Sequence, residues 1–264
     1  MLLAHEADPN KMNGNQYSTL HLAAESGSTT IVHALLAEGA QPNLRGGEDG
    51  KTALDLATVG GHAETVTALV QHRASLNATD KIGRTAMHAA ASYNDAGIID
   101  VLAAADANVD ARDQKSWTPV HVASSQGYAE AVTAFMRHEG GGNHYNTERE
   151  SPLHVAVREG HCAAVTALLV GDANPNLCKD ADSPLHLAAC CSRLDVVKLL
   201  IQYRANVKEL CSNRATALHT AVKNVDVVKA LIDAGAHLEA EDDEGCTPLH
   251  RALARGSTKS SSPC

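Results

Sequence analysis

One short motif recurs at near-constant spacing along the chain, and it constrains the fold more than any other feature. It is best preserved at residues 183–189 (SPLHLAA), where Ser183 and Pro184 precede Leu185 and His186. Its copies begin at Ser18, Thr52, Thr85, Thr118, Ser151, Ser183, Thr216 and Thr247, at intervals of 34, 33, 33, 33, 32, 33 and 31 residues. A period this regular indicates one supersecondary unit stacked on copies of itself.

The chemistry of the motif predicts the start of a helix. Ser or Thr is a good N-cap, because its side chain accepts a hydrogen bond from a free amide of the first turn. Pro fits the first helical position, where its missing N–H costs nothing. A second amphipathic run follows, as at residues 194–200 (LDVVKLL), with apolar residues at the i, i+3, i+4 spacing of a buried helix face. Each unit is therefore predicted to contain two short helices followed by a polar loop, here called a finger.

The motif and its period resemble those of the ankyrin repeat, whose signature is T-P-L-H-x-A over 33 residues. The resemblance covers residues 1 to about 256. It implies an all-α repeat fold, a solenoid of helix-turn-helix units with short β-hairpin fingers. The predicted organisation is a half-repeat at residues 1–17, full repeats starting at residues 18, 52, 85, 118, 151, 183 and 216, and a half-repeat at 247–256. Residues 257–264 form a Ser-rich tail that is predicted to be disordered.

Three irregularities carry their own expectations. The repeat that begins at Thr216 lacks two residues between its helices, which predicts shortened helices and a strained turn. The glycine-rich stretch 139–143 is predicted to be a soft point. The turn after the second helix keeps its expected glycine at Gly39 and Gly235, but other residues replace it at Glu6, Arg73, Asp106, Asp172 and Arg204. Those positions either bear a cost of about 1 kcal/mol each or relax to another geometry.

Composition narrows the partner and the compartment. The net charge of −9 argues against nucleic acid or an anionic membrane as the main partner. No apolar run approaches the roughly 20 residues that span a bilayer, so no membrane insertion is expected. The seven cysteines include no Cys-x-x-Cys pair, which favours free thiols in a reducing cytoplasm or nucleus. Cys190 and Cys191 are interpreted as inert thiols, with a modifiable pair as the alternative.

The histidines and asparagines are candidates for metal binding, catalysis or modification. Seven of the fifteen histidines occupy the fourth motif position, where the imidazole can hydrogen-bond between neighbouring loops. At about 10 Å apart they cannot share a zinc ion. We find no nucleophile arrangement and no phosphate-binding loop, so we predict no catalytic residues, no metal, no cofactor and no small-molecule substrate. Asparagines that resemble sites of asparaginyl hydroxylation, or that simply form turns, are Asn10, Asn43, Asn77 and Asn176.

Aromatic and arginine side chains are the best candidates for a binding site, because interface energy concentrates in Trp, Tyr and Arg. The chain has one Trp, five Tyr and one Phe. The predicted partner-binding residues, on neighbouring fingers and first helices, are Tyr93, Trp117, Tyr145, Arg84, Arg112 and Arg149. The alternative for Trp117 is that it covers the adjacent hairpin, and Phe135 is interpreted as a core residue.

The resemblance also implies the function. Ankyrin repeats form a family of protein-binding scaffolds, which favours non-catalytic protein–protein recognition in a groove of fingers and first helices. The alternative is a targeting or regulatory segment of a larger enzyme or channel. Neither interpretation identifies the partner.

Overall fold

The computed structural model describes residues 7–179 and 182–257. Within those ranges the regular secondary structure is almost entirely helical. In chain order they are α1 (Thr19–Glu25), α2 (Thr29–Ala37), α3 (Ala53–Val59), α4 (Ala63–Gln71), α5 (Ala86–Ser92), α6 (Ala96–Ala104), α7 (Pro119–Gln126), α8 (Ala129–Arg137), α9 (Pro152–Glu159), α10 (Cys162–Val170), α11 (Pro184–Cys190), α12 (Leu194–Gln202), α13 (Ala217–Thr220), α14 (Val225–Asp233) and α15 (Pro248–Ser257). The predicted all-α repeat fold is confirmed.

The helices alternate between a first and a second helix of each repeat. All seven second helices, from α2 to α14, have nine residues, whereas the first helices vary in length. Helices this short are marginal in water by themselves. Their stability must therefore come from packing against the neighbouring repeats.

Contacts divide the chain into two compact units. Unit 1 comprises the described residues of Met1–Ala123 together with Glu130–Gly141, and unit 2 comprises Ser124–Ala129 together with the described residues of Gly142–Cys264. In unit 1, α3 packs on α1 and α5, while α4 packs on α2 and α6. In unit 2, α11 packs on α9 and α13, while α12 packs on α10 and α14. First helices therefore stack on first helices, and second helices on second helices.

The core of unit 1 combines small and branched side chains. Ala24, Ala57 and Ala90 on the first helices are fully buried, which lets those helices approach closely. On the second helices the core is bulkier, and Phe135 of α8 is among the largest fully buried side chains. Its predicted place in the core is confirmed.

Side-chain hydrogen bonds at turns, rather than a β-ladder, hold the fingers together. In one finger Oδ1 of Asp80 accepts hydrogen bonds from the amides of Ile82 (3.0 Å) and Arg84 (2.8 Å). The same Asx arrangement recurs at Asn13, Asp113, Asn146 and Asp242. Among the described residues, β-pairing is limited to two isolated bridges, Gly46–Lys51 and Lys179–Asp182. The hairpins predicted at the fingers are thus tight turns.

The turn after the second helix keeps its left-handed backbone even where glycine is replaced. The non-glycine residues with positive φ at this turn are Arg73 (60°), Asp106 (65°), Glu139 (59°), Asp172 (63°) and Arg204 (65°). The reason is the helix end itself: the amide of Arg73 donates to the carbonyl of Val70 (3.0 Å), and Ala74 donates to Leu69 (3.0 Å). Relaxation would break both bonds. The expected alternative of a relaxed turn is wrong at these residues, and Glu6 lies outside the described ones.

Replacing Arg73 by glycine should therefore raise the free energy of unfolding by about 1 kcal/mol, because glycine adopts a positive φ without steric cost. Arg73 is exposed, so the substitution removes little packing. Urea denaturation is the measurement. The reverse substitution, Gly39→Arg, places a Cβ at a residue with a φ of 86°, where it would meet open space. It should lower the free energy of unfolding by a similar amount. Equal stability of both variants and the native chain would contradict the argument.

In the repeat that begins at Thr216, the two missing residues shorten only the first helix. In that repeat the first helix, α13, has only four residues and continues as a 3₁₀ turn at Ala221–Lys223, whereas α14 keeps nine. Asn224 joins them with extended backbone (φ −127°, ψ 107°) and accepts hydrogen bonds from the amides of Asp226 and Val227. The predicted shortening holds for the first helix alone, and the predicted strain is not found at Asn224.

Two further expectations concern the glycine-rich stretch 139–143, whose softness stays a prediction, and the tail. The stretch predicted to be soft is hydrogen-bonded in unit 1, where the Gly140 amide donates to Phe135 (2.9 Å) and the Gly141 amide donates to Oδ1 of Asp110 (2.7 Å). Ser257, predicted to begin the tail, is the last residue of α15, and residues 258–264 lie outside the described ranges. None of the described helices is long and apolar enough to cross a bilayer.

Candidate functional site

The motif histidines connect the loop before their own helix with the finger that ends the same repeat. In unit 1, Nδ1 of His21 accepts a hydrogen bond from the Ser18 amide (3.2 Å), and Nε2 lies 3.1 Å from the Leu44 carbonyl and 3.2 Å from that of Lys51. Because Nδ1 accepts and Nε2 faces carbonyls, the ring is neutral and carries its proton on Nε2. The same Nε2-to-carbonyl contact recurs in His88 to Trp117 (3.0 Å), His154 to Asp182 (3.3 Å), His186 to Ala215 (3.2 Å) and His219 to Cys246 (3.1 Å). These histidines link adjacent loops, as predicted.

Burial keeps four of these imidazoles in the neutral form. Burial lowers the pKa of His21, His88, His154 and His186, and the bonds to backbone carbonyls only partly offset it. Asp55 replaces the histidine in one repeat, and its Oδ2 accepts the Thr52 amide at 2.8 Å. Burial raises the pKa of Asp55, whereas it lowers the pKa of the histidines. In both cases burial favours the neutral form, which is the protonated form of a carboxyl group and the deprotonated form of an imidazole.

A second ladder of side chains connects the turns after the second helices. In each case a side-chain oxygen of one repeat accepts a backbone amide of the next. The pairs in unit 1 are Asn10 with Gln41 (2.8 Å), Asn43 with Ser75 (2.6 Å), Asn77 with Asn108 (2.9 Å) and Asp110 with Gly141 (2.7 Å), and those in unit 2 are Asn143 with Asn174 (2.8 Å) and Asn176 with Asn206 (2.7 Å). These contacts support the turn-forming interpretation of the asparagines, and their hydroxylation stays a prediction.

Four of the six predicted binding residues lie in unit 1, in different environments. Tyr93 is the C-cap residue of α5, and its side chain is 57% exposed. Trp117 is half-buried, with its indole 5.8 Å from the ring of His121. Arg112 is exposed, and Nε of Arg84 lies 3.5 Å from a carboxylate oxygen of Asp113. Only Tyr93 therefore combines an aromatic ring with high exposure.

Trp117 has a structural role that a second residue shares. Tyr17 occupies the same place, one residue before the N-cap, and its ring lies 5.7 Å from that of His21. Both aromatic rings lie beside the histidine of their own motif. The structure thus favours the packing interpretation of Trp117, with the motif histidine as its neighbour.

The other two predicted residues lie in unit 2. The Tyr145 hydroxyl donates to the Cys178 carbonyl at 2.7 Å, and burial raises the pKa of this half-buried tyrosine. Arg149 is exposed and has a positive φ of 58° at its finger turn. Tyr145 therefore connects neighbouring fingers.

Sequence reasoning missed several exposed apolar residues, among them Ile82 at a finger tip in unit 1, which is 49% exposed. The signal was available, because the residues two positions after the start of the other finger turns are polar. They are Asn15, Lys115, Glu148, Asn213 and Glu244. Through the Gln114 amide, the next finger donates a hydrogen bond to the Ile82 carbonyl (3.1 Å).

Unit 2 holds a buried carboxylate that joins two cations. The side chain of Glu150 is 2% exposed, and its Oε1 accepts hydrogen bonds from Nζ of Lys179 (2.8 Å) and from Arg158. Burial alone would raise the pKa of Glu150, but the bonds from Lys179 and Arg158 outweigh it and hold the pKa below its ordinary value. This ion cluster ties α9 to the next finger.

Replacing Glu150 by glutamine should lower the free energy of unfolding by about 2 kcal/mol. Breaking a fully buried ion pair costs more, but Arg158 and Lys179 are about one-third exposed and can turn to water. Chemical denaturation is the measurement. The exposed Glu159, which also pairs with Arg158 (3.2 Å), provides the control, and Glu159→Gln should change stability by less than about 0.5 kcal/mol. Equal effects would show that burial of Glu150 is unimportant.

In the part of the chain that the structure describes, no group of three or more His, Cys, Asp or Glu side chains could hold a metal ion. The six described cysteines are half-buried. Modification of Cys190 and Cys191 stays a prediction.

The family model for ankyrin repeats matches residues 1–80, 74–144, 129–211 and 205–260. The chain belongs to the ankyrin-repeat family. Solved structures agree: the ankyrin repeat domain of human ASB11 has a TM-score of 0.70 and 27% identity, over 84% of this chain and 99% of that one. The ankyrin repeat domain of Bcl-3 has a TM-score of 0.75 and 26% identity, over 82% and 98%. Ankyrin repeats generally serve as protein–protein interaction modules, and the fold is typically non-catalytic.

Curated relatives match over shorter stretches. The ankyrin chain is 38% identical over 88 residues to alpha-latrocrustotoxin-Lt1a of Latrodectus tredecimguttatus, which is 32% of this chain and 6% of the toxin. It is 33% identical over 87 residues to the transient receptor potential cation channel subfamily A member 1 of Drosophila melanogaster, which is 30% of this chain and 7% of the channel. The chain therefore spans only a small part of the length of these relatives.

Proposed function

We propose that this ankyrin-repeat chain binds a protein partner without catalysing a reaction, and that the partner contacts the fingers and first helices of unit 1. The observation that supports this proposal is the exposure of Tyr93 (57%) and Ile82 (49%), two large side chains that their own repeats leave uncovered. Aromatic and apolar anchors that become buried on association supply most of the energy of protein interfaces.

The spacing of the two anchors suggests the size of the partner segment. Ile82 is in the finger that precedes α5, and Tyr93 caps the other end of that helix. The seven residues of α5 span about 10 Å. Ile82 lies four residues before α5, so a partner segment that runs along the whole of this helix could contact both side chains. The exposed Arg112 belongs to the next finger and offers a cation for an acidic flank.

The proposal is tested by selecting peptides from a displayed library on the native chain and measuring their affinity for variants. Ile82→Ser and Tyr93→Ser should each weaken the selected peptides at least about tenfold, the effect of losing about 1.4 kcal/mol. The matched control is Ile31→Ser on α2, an equally exposed apolar residue (54%) on a second helix, which should leave affinity unchanged. Peptides that bind both anchor variants normally would refute this site.

A second candidate function is that of a targeting or regulatory segment within a larger enzyme or channel. The observation that favours it is the length of the toxin and channel relatives, of which the matched stretches are 6% and 7%. Sequencing the full transcript tests it: an open frame that encodes a further domain would support the idea, and stop codons on both sides would oppose it. We also propose a reducing cytoplasmic or nuclear location, because the seven cysteines of the sequence include no Cys-x-x-Cys pair.

A further inference from the structure

Two histidines on the second helices of unit 1 face each other outside the motif. His33 lies on α2, and His72 is the C-cap residue of α4. Nδ1 of His33 is 3.3 Å from Nε2 of His72, and the ring centroids are 5.4 Å apart at an interplanar angle of 61°. Both side chains are exposed. Neither ring takes part in the finger contacts made by the motif histidines.

We propose that His33 and His72 together bind a borderline transition-metal ion, Zn²⁺ or Cu²⁺, as a two-histidine site. Two nitrogen ligands at 2.0–2.1 Å from a tetrahedral zinc ion are about 3.4 Å apart. The observed separation of 3.3 Å matches that value, so binding needs rotation of exposed rings but no movement of the helices. Contacts between α2 and α4 hold the two backbones in place.

Proton balance does not oppose binding. In the apo pair one facing nitrogen carries a hydrogen and the other accepts it. The donor ring binds the metal as its other tautomer, with its proton on the opposite, solvent-facing nitrogen. Two coordinate bonds then form, two water ligands leave the ion, and each neutral imidazole keeps one proton.

The surroundings and the ligand type favour such a cation. His72 ends α4, where the carbonyl end of the helix carries a partial negative charge. Imidazole nitrogen suits Zn²⁺ and Cu²⁺ but not Mg²⁺, and Cu²⁺ should bind more tightly than Zn²⁺. With only two protein ligands, water completes the coordination, so the site is exchangeable. It links two neighbouring repeats, and metal binding should therefore raise the stability of unit 1.

In later repeats the positions equivalent to His33 and His72 hold an aspartate and a histidine. Oδ1 of Asp100 on α6 lies 2.8 Å from Nε2 of His138 after α8, and Arg137 also contacts the Asp100 carboxylate at 3.2 Å. Contact between these positions is thus a recurring feature of neighbouring second helices. The arginine already occupies the carboxylate in that pair, which leaves His33 and His72 as the better metal ligands.

The experiment is a Zn²⁺ titration of the full chain, followed by ¹⁵N signals of the imidazole rings and by calorimetry. Zinc should shift the ¹⁵N signals of the His33 and His72 rings. Either His33→Gln or His72→Gln should lower the affinity for Zn²⁺ at this site at least about tenfold. His237→Gln, at an exposed histidine of unit 2, is the control and should change nothing. The ring signals separate this site from zinc bound by thiols.

Two outcomes would overturn the proposal. One is zinc binding that shifts neither ring, and the other is wild-type affinity in either His33→Gln or His72→Gln. Because both side chains are exposed, the variants should keep the metal-free melting temperature, which circular dichroism checks. A Mg²⁺ titration should leave both rings unshifted.

Discussion

Replacing Phe135 by alanine should lower the free energy of unfolding by about 4 kcal/mol, the largest loss expected from a single substitution in unit 1. The side chain is fully buried in α8 and is the only phenylalanine in the chain. Its helix neighbours Ala131 and Ala134 are also fully buried and too small to fill the space it would leave. The resulting cavity adds to the lost transfer free energy. Urea denaturation followed by circular dichroism gives the difference.

Two variants serve as controls for that result. Phe135→Leu keeps most of the volume and should cost less than about 1.5 kcal/mol. Tyr93→Ala removes an aromatic ring that is 57% exposed and should cost less than about 0.5 kcal/mol, although we expect it to weaken partner binding. A loss for Tyr93→Ala as large as that for Phe135→Ala would show that Tyr93 is a packing residue.

The repeat pattern could be predicted because its chemistry is local. A Ser or Thr with His three residues later forms a capping box, as Ser18 and His21 do, and this needs no knowledge of distant residues. The structure of the turn that lacks two residues, in contrast, depends on contacts with residues that are distant in sequence. The second helix α14 keeps its full length while α13 is shortened, and the helix on which it packs, α12, lies about one repeat earlier.

The candidate site was only partly predictable for the same reason. The rarity of aromatic residues is visible in the sequence, but their exposure depends on the neighbouring repeat. Trp117 rests on His121 and Tyr145 donates to Cys178, whereas Tyr93 stays exposed. Ile82 could have been found by comparing finger tips. His33 and His72 are 39 residues apart and lie outside the recurring motif, so the motif itself does not indicate their contact.

Both ladders join successive loops of the chain. The carbonyl of the finger that ends a repeat accepts from the histidine of the same repeat, and the amide of a repeat's turn donates to the asparagine of the preceding repeat. Loss of a histidine contact therefore leaves a buried polar group without its partner, and such a loss costs about 1–3 kcal/mol. The motif histidines also make this dependence sensitive to pH.

Lowering the pH from about 7.5 to about 5.5 should destabilise both units strongly. Burial places the pKa of His21 and His88 in unit 1, and of His154 and His186 in unit 2, below the ordinary value. The unfolded chain then binds more protons than the folded one. The stability from keeping these rings neutral is complete above about pH 6.5 and is lost as the pH falls below it, by up to about 1.4 kcal/mol per pH unit for each ring.

Urea midpoints measured across this range test the prediction, and Asp55→His sharpens it. Asp55 caps its helix through Oδ2, as a histidine would through Nδ1, but it lacks the Nε2–H that reaches the next finger elsewhere in the chain. A histidine there adds one more buried neutral ring. The free energy of unfolding should therefore fall more steeply below about pH 6.5, by about a further 1.4 kcal/mol per pH unit. His237→Gln, at an exposed site, should leave the slope unchanged. A flat profile, or an Asp55→His profile parallel to that of the native chain, would mean that the motif rings are protonated in the folded state without loss of their contacts.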